Sequence, residues 1–166
     1  MTTDLLNAVA DFLSRDWKAD VERLNPILAA DGMSANLVDD IPPIPWTGDP
    51  SAKSIGDCAL VLGINPKWLG WDNEWAKAEY SPSLELVDRF VKTGDNIALN
   101  AYLNMRAQYF RGDQYYGRYF TAYGNRLAES FRTDLMDDPR ELWHKWAMKM
   151  DVVPCTPVQD NFPPKV

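Results

Sequence analysis

The sequence predicts an α/β protein, a parallel sheet flanked by helices and preceded by a helical N-terminal extension. Three observations carry that reading. Cys58-Ala59-Leu60-Val61-Leu62-Gly63 is a short, nearly all-apolar run that stops at Gly63-Ile64-Asn65-Pro66, the pattern of a strand buried on both faces. Met150 to Cys155 is a second short apolar run that ends at a proline. Four stretches of helical periodicity lie between the two, and a long helical crossover is what parallel pairing requires.

The N-terminal part, 1–38, reads as a helical hairpin or one bent helix. Leu5, Leu6, Val9, Phe12 and Leu13 recur at helical spacing, with Thr2 or Thr3 as a start signal. Trp17, Val21, Leu24 and Leu28 form a second stripe, which Asp31-Gly32 ends and Pro26 is expected to kink or interrupt. Residues 39–56 hold Pro42, Pro43, Pro45, Gly48, Pro50 and Gly56, an extended connector expected to pack over the core. Residues 64–81 are expected to be a long loop rich in tryptophan. Ser81-Pro82-Ser83 then opens a helix carrying Leu84, Val87 and Val91 that Gly94 closes, and Asp95 caps the next, with Ala98, Tyr102, Met105 and Tyr109. Tyr116, Phe120, Tyr123, Leu127 and Phe131 mark another helix, and Asp138-Pro139 starts a short one holding Leu142, Trp143 and Trp146. The tail, 156–166, has no periodicity. The whole is one domain whose core spans 57–155.

Composition narrows the function. A net charge of −7 argues against adhesion to nucleic acid or anionic membrane through overall charge, while leaving room for a local basic groove. The two cysteines, Cys58 and Cys155, each fall in or beside an apolar run and read as buried free thiols rather than a disulfide. No Cys/His spacing suits a metal, no signal peptide is evident and no apolar run approaches the ~20 residues of a membrane span. The expectation is a soluble, cytoplasmic protein without metal or cofactor.

Two regions could carry chemistry. At the carboxyl end of the first strand, Asn65 offers a donor and an acceptor on one short side chain, and Pro66 fixes the backbone beyond it. Trp68, Trp71 and Trp75 offer flat stacking surfaces nearby, unless they merely cover the core edge. The second region, 102–132, holds six of the seven tyrosines, interleaved with Arg106, Arg111, Arg118, Arg126 and Arg132 against two acidic residues. Aromatic faces stack bases and arginines grip phosphate, so Arg118, Tyr119 and Arg126 are candidate nucleic-acid contacts; the plainer reading is a helix pair burying one aromatic face. The single histidine, His144, reads as a surface or half-buried helix residue. The acidic pairs Asp39-Asp40 and Asp137-Asp138 read as caps and solvated loops.

Leu60-Val61-Leu62-Gly63-Ile64-Asn65-Pro66 resembles the first motif of the uracil-DNA glycosylase superfamily, closest to the mismatch-specific uracil/thymine type, and Asp151-Val152-Val153-Pro154 resembles its second strand. The resemblance implies a glycosylase-like fold over 57–155 and hydrolysis of the N-glycosidic bond of a flipped uracil or mismatched base. It makes Asn65 the residue that positions water. It makes Gly63, Ile64 and Pro66 the pocket backbone, Trp71, Trp75 or Tyr80 the base-stacking aromatic, and Lys67 a DNA contact where the family carries Gly or Tyr. The family's second motif belongs after two further strands, so a protein partner or a further C-terminal segment is expected to complete the fold. The alternatives are a non-catalytic relative that binds a nucleotide, nucleic acid or protein through the same pocket, and an unrelated helical interaction protein.

Overall fold

The computed structural model describes residues 3–30, 37–50, 59–63, 70–111, 117–131, 139–151 and 155. Among the described residues, helices surround a small parallel sheet of two strands. In chain order the elements are α1 (Thr3–Leu13), α2 (Trp17–Ala30), β1 (Ala59–Gly63), α3 (Glu74–Thr93), α4 (Asn96–Ala107), α5 (Gly117–Phe131), α6 (Pro139–Lys145) and β2 (Ala147–Asp151), with a 3-10 turn at Tyr109–Arg111 between α4 and α5. None of the described helices is long and apolar enough to cross a membrane.

The N-terminal part is two helices rather than one bent helix. Asp16 accepts the Ala19 amide at 3.0 Å and so starts α2. Trp17 donates its indole N–H to the Phe12 carbonyl at 2.6 Å and packs its ring on Phe12, which fixes the corner. Pro26 does not interrupt α2, which continues to Ala30. The adjacent Asn25 clamps Leu37 with both ends of its amide, at 2.7 and 3.1 Å. Val21, Leu37 and the free thiol Cys155 are buried together; burial and then the nearby Asp20 push that thiol up to about 11.

Over its described residues, 39–50, the proline-rich connector packs as expected. Ile41 and Ile44 bury against Ala76 and Tyr80 of α3, and Trp46 joins Val9, Leu13, Val87, Phe90, Leu99 and Tyr102 in the main helical cluster. α3 begins at Glu74, not at Ser81, which corrects the expected loop boundary. Asn73 supplies the cap, its side chain accepting the Ala76 amide at 3.1 Å. Pro82 therefore sits inside the helix. Its interior position costs about 3 kcal/mol, in a helix whose preceding turns bury Ala76 and Tyr80. Gly94, at φ +67°, closes α3 in the left-handed conformation, and Asp95 caps α4 by accepting the Ile97 amide at 2.8 Å, both as the sequence indicates.

β2 is Ala147–Asp151, several residues earlier than the expected strand at 150–155; residues 152–154 lie outside the described residues. It pairs with β1 in register from Ala59↔Ala147 to Gly63↔Asp151. On its other side Lys149 exchanges backbone hydrogen bonds with Thr47, antiparallel, at 2.8 and 3.0 Å, so the connector adds a one-residue bridge to the sheet. One face of the sheet, Ala59, Val61 and Ala147, lies on Phe110, Phe120 and Trp143. Phe110 and Trp143 stack with ring centroids 5.2 Å apart, and the Trp143 indole donates to the Phe120 carbonyl at 2.8 Å. The other face corrects the expectation of burial on both sides: Leu60 is 54% and Leu62 64% exposed. His144 is also more buried than expected, with its Nε2 against the Arg111 guanidinium.

Candidate functional site at the carboxyl end of the sheet

Parallel strands leave their carboxyl ends side by side, where open α/β sheets place ligands. Here those ends are Gly63 and Asp151. Residues alternate between faces along a strand, so Lys149, Asp151 and Gly63 share a face with Ala59, Val61 and Ala147. Lys149 and Asp151 form an ion pair there, Nζ to Oδ1 2.6 Å, with side chains 12% and 5% exposed. The pair lies directly over Gly63. A Cβ at residue 63 would fall 2.2 Å from Asp151 Oδ1 and 3.0 Å from Lys149 Cε, so the position admits no side chain unless the pair moves. Burial holds the Lys149 amine below its ordinary range, Asp151 opposes that, and Arg106 reinforces it.

Arg106 of α4 is the second buried charge. It donates through Nη1 to Glu79 Oε1 at 2.8 Å and through Nη2 to Thr47 Oγ1 at 2.9 Å, with both charged side chains under 8% exposed. Its guanidinium carbon lies 5.2 Å from the Tyr109 ring centroid, within cation–π range. Burial alone would lower its proton affinity; Glu79, with Tyr102 and Tyr109 adding to it, more than reverses this, so Arg106 stays charged. The Thr47 backbone in turn holds Lys149. A continuous buried polar path thus runs Glu79–Arg106–Thr47–Lys149–Asp151 and ends against Gly63. It contains two cations and two carboxylates, so it orients groups without presenting net charge.

Tyr80 lies beside this path. Burial raises its hydroxyl far above the usual tyrosine range, Glu79 and Asp151 add to that, and Arg106 opposes it. Tyr102 is pushed up to about 12, chiefly by burial, and its hydroxyl donates to the Pro43 carbonyl at 3.4 Å. Among the described residues no group of three or more His, Cys, Asp or Glu side chains could hold a metal ion.

The site residues proposed from sequence divide into three groups. Gly63 is at the strand end, while Ile64, Asn65, Pro66 and Lys67 lie outside the described residues. Trp71, Trp75 and Tyr80 come together with Ile41 and Ile44 around the start of α3. Trp75 and Tyr80 sit on the helix rather than in a loop, and Trp71 ties back to the connector by donating to Asp40 Oδ2 at 2.7 Å. Arg118, Tyr119 and Arg126 belong to α5, with Arg126 on its exposed side and Phe120 and Leu127 turned to the Trp143 cluster.

Sequence reasoning missed Thr47, Glu79 and Lys149, and it gave Arg106 only as one of the interleaved arginines and Asp151 only as part of a strand. Lys149 and Asp151 carry a signal: two charges at i and i+2 in a strand point to one face. Glu79 and Arg106 are 27 residues apart on different helices, and neither local pattern points to the other. No family model, no curated protein and no solved structure matches the chain.

Proposed function

We propose that this chain is a uracil-DNA-glycosylase-like protein that hydrolyses the N-glycosidic bond of a flipped uracil or mismatched base. The observation that carries the reading is positional. Gly63, the residue that precedes Ile64-Asn65-Pro66 in the sequence, ends a parallel strand at its carboxyl edge and lies against the Lys149–Asp151 pair. An apolar strand that delivers an asparagine at such a point supplies a group able to hold water against a sugar carbon. In the reaction the C1′–N bond breaks and its electron pair leaves with the base. The water oxygen bonds to C1′ and releases a proton, and the base gains one. Asn65 accepts a hydrogen bond from the water and orients it; as an amide it is a far weaker base than a carboxylate, which implies slow turnover.

The test is excision from duplex oligonucleotides carrying uracil or a G·T mismatch, by wild type and Asn65→Ala. Wild type is expected to release the base, with the variant slower by about 100-fold, the scale of losing a positioned reactant. Absence of release by wild type overturns the catalytic reading. The net charge of −7 favours one other reading, a non-catalytic relative that binds a nucleotide or a protein at this strand end, because duplex-DNA enzymes draw affinity from lysine and arginine at phosphates. Nucleotide or protein binding without excision, lost on Asn65→Ala, is the result expected from it.

A further inference from the structure

We propose that the open edge of β1 pairs with the β1 edge of a second copy of the chain, antiparallel about a twofold axis at Val61, so that two chains share one four-stranded sheet. In a parallel ladder the N–H and C=O of one residue point to the same side, and successive residues alternate. Ala59 donates its amide to the Trp146 carbonyl at 2.7 Å, so Ala59, Val61 and Gly63 bond toward β2 and the backbone groups of Leu60 and Leu62 point away from it. The far edge of β2 is closed by Thr47, which exchanges hydrogen bonds with Lys149; among the described residues no strand or bridge lies against Leu60 or Leu62. Exposed edges are usually blunted by charge, proline or a bulge. Residues 59–63 carry neither charge nor proline and pair with β2 without a bulge. Leu60 and Leu62 instead set apolar side chains, more than half exposed, beside the open backbone groups, with the exposed Met150 next to Leu62 in register.

This edge is complementary to itself. A twofold axis at Val61 sets Leu60 opposite Leu62 of the second copy, and Leu62 opposite its Leu60. Those are the two residues whose N–H and C=O are open, so the register closes two reciprocal hydrogen-bonded pairs and sets leucine against leucine on one face. β1 itself is neutral, and the nearby Lys149 and Asp151 are paired with each other. The net charge of −7 on each chain opposes association from elsewhere on the surface, where salt screens separations beyond ~8 Å at physiological ionic strength. Three apolar side chains and a strand edge amount to on the order of a few hundred Å² per copy, against about 800 Å² for a standard-size interface, so the dimer is a weak one that fills at high protein concentration.

The experiment uses the full chain at rising concentration. Sedimentation equilibrium from about 5 μM to about 1 mM is expected to show growth toward twice the chain mass, with a dissociation constant of roughly 100 μM. Association is expected to be stronger at about 0.3 M than at about 0.05 M salt, because the like charges are screened. Amide hydrogen exchange over the same series is expected to slow about fivefold at Leu60 and Leu62 as the monomer falls to about a fifth of the chains. It should change less at Val61 and Gly63, which are already bonded to β2. Leu62→Lys sets a charge against Leu60 of the second copy; the residue is already 64% exposed, so the fold is kept and the variant is expected to stay monomeric throughout. Ile97→Lys, at an exposed apolar residue of α4, is expected to dimerise as wild type does. If Leu62→Lys does not fold, the wild-type exchange series decides alone. A chain still monomeric at about 1 mM overturns the proposal: fast exchange at Leu60 and Leu62 then means an uncovered edge, and slow exchange at every dilution means an edge covered from within the chain. A dimer that leaves exchange at Leu60 and Leu62 unchanged, or that Leu62→Lys does not disrupt, overturns it as well, because its contact lies elsewhere.

Discussion

Both faces of the β1–β2 sheet carry apolar side chains, and the two meet opposite surroundings. On one, Ala59, Val61 and Ala147 press against Phe110, Phe120 and the fully buried Trp143. On the other, the register sets Leu60 beside Met148 and Leu62 beside Met150. Met148 reaches the helical cluster that contains Trp46 and Tyr102, while Leu60 and Leu62 stay more than half exposed. Leucine is the more hydrophobic choice, so hydrophobicity does not decide which face is covered. Coverage follows from where the large aromatics come back to the sheet. The 3-10 turn and α6, immediately before β2, deliver Phe110 and Trp143 to one side. The polar path to Gly63 lies on that same covered side, where water is excluded and a charge pair keeps its geometry.

That contrast predicts its largest effect at Trp143. Trp143→Ala removes the ring on which Phe110 stacks and the indole donor to the Phe120 carbonyl. Loss of about 3–5 kcal/mol is expected, read as a shift in the denaturant midpoint. At about 2–4 °C per kcal/mol for a chain of this size, heat unfolding should fall by roughly 6–20 °C. A loss under about 1 kcal/mol would mean that this cluster does not hold the inner face.

How much of this was legible in the sequence depends on the range of the interaction that decides it. Gly94 and Asp95 mark the α3–α4 corner because a left-handed residue and a cap are local demands. The start of α3 is not legible locally because Ser81-Pro82-Ser83 is a stronger local start signal than Asn73, and the burial of Ala76 and Tyr80 under the connector selects the earlier one. β2 was displaced for a similar reason: Val152-Val153 looks more strand-like than Ala-Met-Lys-Met-Asp, whose charges are tolerated because they pair with each other over a glycine. At the candidate site, Gly63 and the Asn65 segment were visible as a motif. The Arg106–Glu79 link was not, since it exists only once α3 and α4 are folded against each other.

A smaller effect tests the partly covered half of the outer face. Tyr102 belongs to the cluster against which Met148 packs, and burial pushes its hydroxyl from 10.0 up to about 12. A group whose folded pKa is raised contributes its stability in full below the unfolded value and loses it as pH climbs to the folded one. Stability is therefore expected to fall between pH 10 and 12, by about 2–3 kcal/mol from Tyr102 alone, with Tyr80 adding in the same direction. Lys149 acts with the opposite sign. Its folded pKa is depressed, so its burial penalty is present at neutral pH and is relieved as pH approaches the ordinary 10.5. The net curve should therefore stay flatter up to about pH 10.5 and steepen beyond it. Urea unfolding at stepped pH reads the stability, and near-ultraviolet phenolate absorbance reads the titration. Early phenolate formation by Tyr102 in the folded protein would show that the cluster beside Met148 is open to water.

The smallest expected effect lies on the exposed half. Leu62→Thr introduces a strand-favouring, β-branched residue in place of apolar surface that is already 64% exposed. Little burial is lost, so the change should stay within about 0.5 kcal/mol, the ordinary range for surface positions. Val61→Thr, one residue earlier, turns a hydroxyl toward Phe110, Phe120 and Trp143 and should cost about 1–3 kcal/mol. The ratio matters more than either value. Two neighbours with the same substituent should differ several-fold in denaturant midpoint because the strand turns one toward the aromatics and the other away. Equal losses would mean that Leu62 is covered in solution, and a dependence of the Leu62→Thr effect on protein concentration would identify a second copy of the chain as the cover.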